Sequence, residues 1–230
     1  MSLDFKHHHG LTAAVVVILV ALVVVFFFRP EANRESQPEL RTTIDKGLTP
    51  EAQVEFDLRI ATQKASIEAS TEFNAHEYLL LGNLYYQTGE LALARDAYQA
   101  ILDKSPDDVG ALDNVGVTLE QMGDYEGAAR AWTRSLSLSG SVTTVIRLID
   151  VVEEHLPAQY DRVDDVLELA IQSLGQDEML NGRLAKWYFE NGMYEKAESH
   201  YTVAETLSGS IGKYKDRIAE SRRLSIESNK

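Results

Sequence analysis

Cysteine is absent from all 230 residues, which excludes disulfides, thiolate metal sites and a cysteine nucleophile together. Positive charge is scarce over most of the chain. Residues 1–49 hold five basic and five acidic side chains, which leaves 17 basic against 31 acidic of the 22 and 36 in the whole. The net charge of −14 therefore belongs to residues 50–230. So negative a surface repels phosphate backbones and anionic headgroups, and nucleic acid is not an expected partner. Catalytic patterns are lacking too. Of the six histidines, three are adjacent at His7, His8 and His9, and the others, His76, His155 and His200, are far apart. The stretch "GSIGK" at 209–213 has neither the first Gly nor the Ser/Thr after Lys that a phosphate loop needs. Asp107-Asp108, Glu153-Glu154 and Asp164-Asp165 read as solvated helix ends and faces. No enzymatic activity and no cofactor are expected, and His7–His9 read as a polar flank, not a metal site.

What is present begins with a greasy run. Leu11–Phe28, "LTAAVVVILVALVVVFFF", carries 18 residues without a charge. As a helix it spans roughly 27 Å, close to the hydrocarbon thickness of a bilayer. Lipid offers backbone groups no other partner, so the helix is expected despite its β-branched residues. The run is long for a secretory h-region, and no small-x-small site follows in "FRPEANRES". A single-pass membrane helix over 11–28 is expected, after an N-terminal tail at 1–10. A Lys/Arg count favours a cytoplasmic C-terminal side, whereas a ten-residue tail before the first apolar helix is the layout of a signal anchor. We expect the second, with the rest of the chain extracytoplasmic. Residues 29–49 are polar, hold two prolines and read as a linker.

Beyond residue 50 the apolar positions recur every three to four residues, the period of amphipathic helices. Set against itself at a spacing of 34, the chain repeats: "YLLLGNLYYQTGELALARDAYQAIL" from Tyr78, "LDNVGVTLEQMGDYEGAARAWTRSL" from Leu112 and "NGRLAKWYFENGMYEKAESHYTVAE" from Asn181. Gly82, Gly116 and Ala185 form one column, and Ala94, Ala128 and Ala197 another, where two helices must cross closely. Tyr98, Trp132 and Tyr201 fill space between hairpins. Gly89, Gly123 and Gly192 end first helices in a left-handed turn. Residues 144–177 fit a degraded copy one residue out of phase, with Tyr125, Tyr160 and Tyr194 in one column.

This order of small, aromatic and turn residues resembles the tetratricopeptide repeat (TPR) family over residues 75–211, some 60% of the chain. The resemblance implies an all-α solenoid of four hairpins, 75–108, 109–142, 144–177 and 178–211, in which neighbours bury each other's faces. Pro106 closes the first unit, but Gly140, Gly175 and Gly209 stand in its place later. An N-terminal helix over 50–74, with Thr49 as N-cap, and a capping helix within 212–230 would cover the two ends.

TPR arrays bind a peptide or partner helix along their first helices. Carried over by register, the partner-binding positions are His76, Asn83, Tyr86 and Gln87; Asp113, Asn114, Val117, Glu120 and Gln121; Val145, Leu148 and Val152; and Met179, Lys186, Phe189 and Glu190. Members that clamp a terminal carboxylate use Lys, Asn, Asn, Lys and Arg. Asn83 and Asn114 match, but Leu79 and Val145 replace the lysines and Ile149 the arginine. Three charge-assisted bonds of about 1.5–3 kcal/mol each are thereby lost, so a helical or basic amphipathic segment is the expected ligand. Two roles follow: a membrane-anchored adaptor for a protein partner, or a permanent structural subunit of a larger or self-assembled complex. The apolar run of Val145, Ile146, Leu148, Ile149, Val151 and Val152 divides them, because a subunit would leave it exposed for packing.

Overall fold

In a computed structural model, residues 39–229 are described. The expected membrane helix at 11–28, the tail at 1–10 and His7–His9 lie outside them. Among the described residues there are ten α-helices and no strand. No helix there is long and apolar enough to cross a membrane. The described chain forms two compact units, residues 39–139 and 140–229.

The first unit holds α1 (Pro50–Ala69), α2 (Ala75–Thr88), α3 (Leu91–Lys104), α4 (Val109–Met122) and α5 (Tyr125–Leu138). Four of these five helices start on a side-chain cap; α3 has none. Thr49 Oγ1 accepts from Ala52 N at 3.2 Å, Asn74 Oδ1 from His76 N at 3.0 Å, and Asp108 and Asp124 carboxylates from Ala111 N and Gly127 N at 2.8 Å. Each cap satisfies a donor that the first helical turn leaves orphaned. Helices α2 and α4 stop at Gly89 and Gly123, with φ of 85° and 89°. Glu90 N and Asp124 N then bond back to Tyr85 O and Leu119 O at 2.9 Å, which closes both ends in the left-handed C-cap geometry.

The hairpins α2–α3 and α4–α5 pack tightly, and α3 packs on α4. A Cβ at Gly82 would run into the Tyr98 ring, and one at Gly116 into the Trp132 ring. Tyr98, Ile101, Leu91, Met122 and Trp132 are fully buried, each contributing about 1.5–3 kcal/mol of transfer free energy. Helix α1 stops at Ala69, short of the expected 74, and buries no residue; Val54 and Leu58 stand open to solvent.

Of the expected linker 29–49, residues 39–49 are described, and part of them is docked. Arg41 N donates to Met122 O at 2.9 Å, Ile44 N to Gly89 O at 2.9 Å, and Ala92 N donates to Thr42 O at 3.0 Å. Carbonyls at a helix C-terminus and N–H groups in its first turn lack intrahelical partners; this extended segment supplies two donors to the former and, at Ala92, one acceptor to the latter.

The second unit holds α6 (Val142–His155), a 3-10 turn (Pro157–Arg162), α7 (Val163–Leu174), α8 (Glu178–Glu190), α9 (Tyr194–Leu207) and α10 (Lys215–Ser228). Helices α8 and α9 repeat the hairpin seen in the first unit, with Gly192 at φ 74° and Met193 N bonded to Tyr188 O at 2.8 Å. The degraded copy departs from this. No glycine follows α6; Leu156 precedes Pro157 and leaves the helical region at φ −125°, ψ 58°, as a residue before proline must. The chain then takes a 3-10 turn through Tyr160 before α7 begins, later than the Tyr160 expected from register. Helix α10 has no side-chain N-cap; the Glu205 carboxylate instead accepts from Gly212 N and, at 2.7 Å, Tyr214 N.

Candidate partner-binding face

On the first unit, α2 and α4 turn a row of amides outward. Asn83, Tyr86, Gln87, Tyr98, Asn114 and Val117 line one small pocket. Tyr98 is fixed by burial, which pushes its phenol well above the usual range. It therefore stays protonated and donates to Asn83 Oδ1 at 2.7 Å. That bond holds Asn83 in place and leaves its two N–H donors for a ligand.

Beside the pocket, α1 and α2 enclose a cleft of about 430 Å³ lined by Leu58, Arg59, Thr62, Gln63, Leu80, Asn83, Leu84 and Gln87. Asn83 and Gln87 line both hollows. Leu58 and Leu80 are 67% and 38% exposed and Leu84 is buried, so the cleft is mainly apolar, with the amides of half-buried Asn83 and exposed Gln87 along it. This is the pattern of a site that buries an apolar side chain and pairs a peptide group. Register had not pointed to Leu58, Thr62, Gln63 or Leu80. The i, i+4 pair of Val54 and Leu58 on an otherwise polar α1 was the available signal.

Lys46 also reaches this face. Its Nζ donates to Gln121 Oε1 at 2.9 Å and stands 4.4 Å from the centroid of the Tyr86 ring. Gln121 Nε2 in turn donates to the Tyr86 hydroxyl. His76 is exposed, while Asp113, Val117 and Glu120 are half-buried on the same elements.

The second unit treats its expected positions differently. Val145, Leu148 and Val152 are 1–2% exposed, so they are core and not partner-binding. The physical reason is the hydrophobic stripe of α6: Ile149 and Val151 are buried with them, and only Ile146 of the run is half-buried. On α8, Lys186 and Glu190 are tied up in ion pairs. Arg183 bridges Asp150 and, at 2.9 Å, Glu153; Lys186 Nζ reaches Glu153 at 3.0 Å; the Tyr160 hydroxyl donates to Glu190 at 2.6 Å. Burial, reinforced by that bond, raises the Tyr160 phenol. Phe189 carries the Arg217 guanidinium at 5.4 Å and the Tyr194 ring edge at 5.5 Å. Met179 alone of this group is both apolar and open. Among the described residues, no group of three or more His, Asp or Glu could hold a metal ion.

A family model of the tetratricopeptide repeat matches residues 68–109 and 79–138, the region of the two regular hairpins. No curated protein matches the chain. Solved structures do. A crystal structure of MamA superposes with a TM-score of 0.57 at 17% identity, covering 69% of this chain and 92% of that one. A second MamA structure gives 0.56 at 14%, covering 83% and 92%. YrrB, described as a TPR protein with an unusual peptide-binding site, gives 0.52 at 18%, covering 64% and 75%. At these identities the likeness is one of fold: the described residues form a TPR-like, all-helical array.

Proposed function

We propose that this chain is a membrane-tethered adaptor that holds a segment of a protein partner on the face formed by α1, α2 and α4. The observation that carries this reading is the open cleft of about 430 Å³ with its apolar Leu58, Leu80 and Leu84 and its Asn83 and Gln87 amides. Apolar lining and neighbouring amides together suit an amphipathic segment entering side-on. The TPR-like fold and the peptide-binding site named for YrrB support it. The Leu11–Phe28 run supplies the tether, with residues 39–229 on the extracytoplasmic side.

The structural-subunit reading drew its support from an exposed α6 stripe, and burial of five of those six side chains removes that support.

Photo-crosslinking tests the adaptor. A photoreactive residue at Leu80 or Gln87 should trap the same partner in cells, while one at Leu93, exposed on α3, should not. Equal capture from all three positions would overturn the reading. The tether is tested separately: alkaline extraction should leave the chain in the membrane fraction, and a reporter active on one side only, fused after Lys230, reads the topology.

A further inference from the structure

Residues 40–46 lie across the C-terminal ends of α2 and α4 as a strap. Three backbone hydrogen bonds hold it, between Arg41 and Met122, Ile44 and Gly89, and Ala92 and Thr42. None of its side chains is buried; Leu40, Ile44 and Lys46 are half-buried and the rest exposed. Among the described residues, its specific side-chain contact with the helices is Lys46, seated on the Tyr86 ring at 4.4 Å and hydrogen-bonded to Gln121 at 2.9 Å. Tyr86 and Gln121 come from two different hairpins and are joined by their own hydrogen bond. An aromatic face plus an amide oxygen is an environment that selects a cation. Tyr86 also lines the pocket of Asn83, Asn114 and Val117, so this cation seat is continuous with the partner-binding face.

We propose that Tyr86 and Gln121 form a cation subsite which Lys46 fills from within the chain, and that a partner segment docks by placing its own Lys or Arg there while the strap lifts away. This deepens the adaptor reading and rests on it. A strap without a buried side chain is exchangeable, since its release exposes little apolar surface. The partner's class follows: a basic, amphipathic segment.

The test uses the full chain and a fluorescein-labelled peptide of residues 39–48 as the probe. Anisotropy should show the peptide binding an Ile44→Pro, Lys46→Ala chain at least about tenfold more tightly than the wild type, whose own strap competes. A peptide with alanine in place of its lysine should bind that variant about 3- to 30-fold more weakly, whereas arginine should serve. Equal binding to both chains, no binding to the strap-broken chain, or indifference to the lysine would each overturn the proposal. Should the double variant misfold, Lys46→Ala alone should speed hydrogen exchange at the Arg41 and Ile44 amides about 3- to 30-fold; unchanged exchange overturns it. Crosslinking from Gln87 reports the cleft independently. Capture there without any effect of Lys46 would sink the subsite and leave the adaptor, and the converse would sink the adaptor.

Discussion

Residues 39–139 and 140–229 start from the same 34-residue unit and spend it differently. In the first, both aromatics of the hairpins lie over glycines, Tyr98 over Gly82 and Trp132 over Gly116. Removing Cβ there lets a large ring sit against helix backbone, and the outward positions stay mostly polar and no more than half-buried. In the second, Ala185 takes the glycine's column and Tyr201 the ring's, and the outward positions of α6 and α8 are consumed by core and by ion pairs. The difference teaches that register alone does not make a binding face. A position is available to a partner only where the fold has not already satisfied it, and among the described residues the cleft between α1 and α2 is such a place.

The largest effect should come from the ring that the first unit depends on most. Trp132→Ala removes a fully buried indole and should destabilise by about 3–5 kcal/mol. Tyr201→Ala should cost about 1 kcal/mol less, because that smaller ring lies against Tyr214 of the terminal region at 5.8 Å, where half-buried neighbours can close in. Urea unfolding followed by circular dichroism measures both; equal losses would erase the distinction between the units. Next in size is Gly116→Ala. The added methyl meets the Trp132 indole, and overpacking of this kind costs about 1–3 kcal/mol. Ala185→Gly in the matching column should cost about 1 kcal/mol through helix propensity alone. A melt of Gly116→Ala indistinguishable from wild type would mean that the close approach does not constrain the hairpin.

The regular hairpins were legible because each of their demands is local. A left-handed glycine at Gly89 or Gly123 and the small-residue columns of Gly82, Gly116 and Ala185 sit at fixed offsets; the caps at Asp108 and Asp124 were not read from the sequence. The third copy was harder, since Pro157 replaces a glycine turn with a 3-10 detour and shifts Tyr160 out of its column. Pro157 was visible in the sequence; the length of the detour was not. Part of the candidate face could be found by counting, namely Asn83, Tyr86, Gln87, Asn114, Val117 and Gln121. Val145, Leu148 and Val152 were misassigned because a first-helix register says which way a side chain points on average, not what else packs there. Lys46 and the strap left no signal, since their contacts join residues 40 to 81 apart, from an irregular segment without periodicity to the ends and faces of helices.

Two turn glycines sharpen the comparison within one unit. Gly89 and Gly123 have nearly the same φ, 85° and 89°, but a Cβ at Gly89 would strike the Ile44 carbonyl, whereas at Gly123 it meets nothing within 4 Å. Alanine at either position carries the left-handed penalty of about 1–2 kcal/mol. Gly89→Ala should in addition dislodge the strap, seen as faster hydrogen exchange at Ile44. If the two variants exchange alike at that amide, Gly89 does not serve as the strap's platform.

The smallest effect expected is a slope, and it belongs to the second unit. His200 on α9 bonds through Nδ1 to Asn181 Oδ1 at 3.0 Å and lies 5.6 Å from the Tyr188 ring. Burial pulls its imidazole below the ordinary 6.5; Glu168 on α7 opposes this and Lys196 on α9 adds to it. Below 6.5 the unfolded chain therefore binds a proton at this histidine that the folded chain does not. Stability from this residue is complete above that value and is lost as pH falls beneath it. His200→Gln keeps a polar partner near Asn181 and removes the titration. Denaturant midpoints measured at about pH 7 and about pH 5 should then fall less for the variant than for the wild type. Parallel falls would place the acid sensitivity of the second unit in its carboxylates, with the α8–α9 hairpin indifferent to the charge on His200.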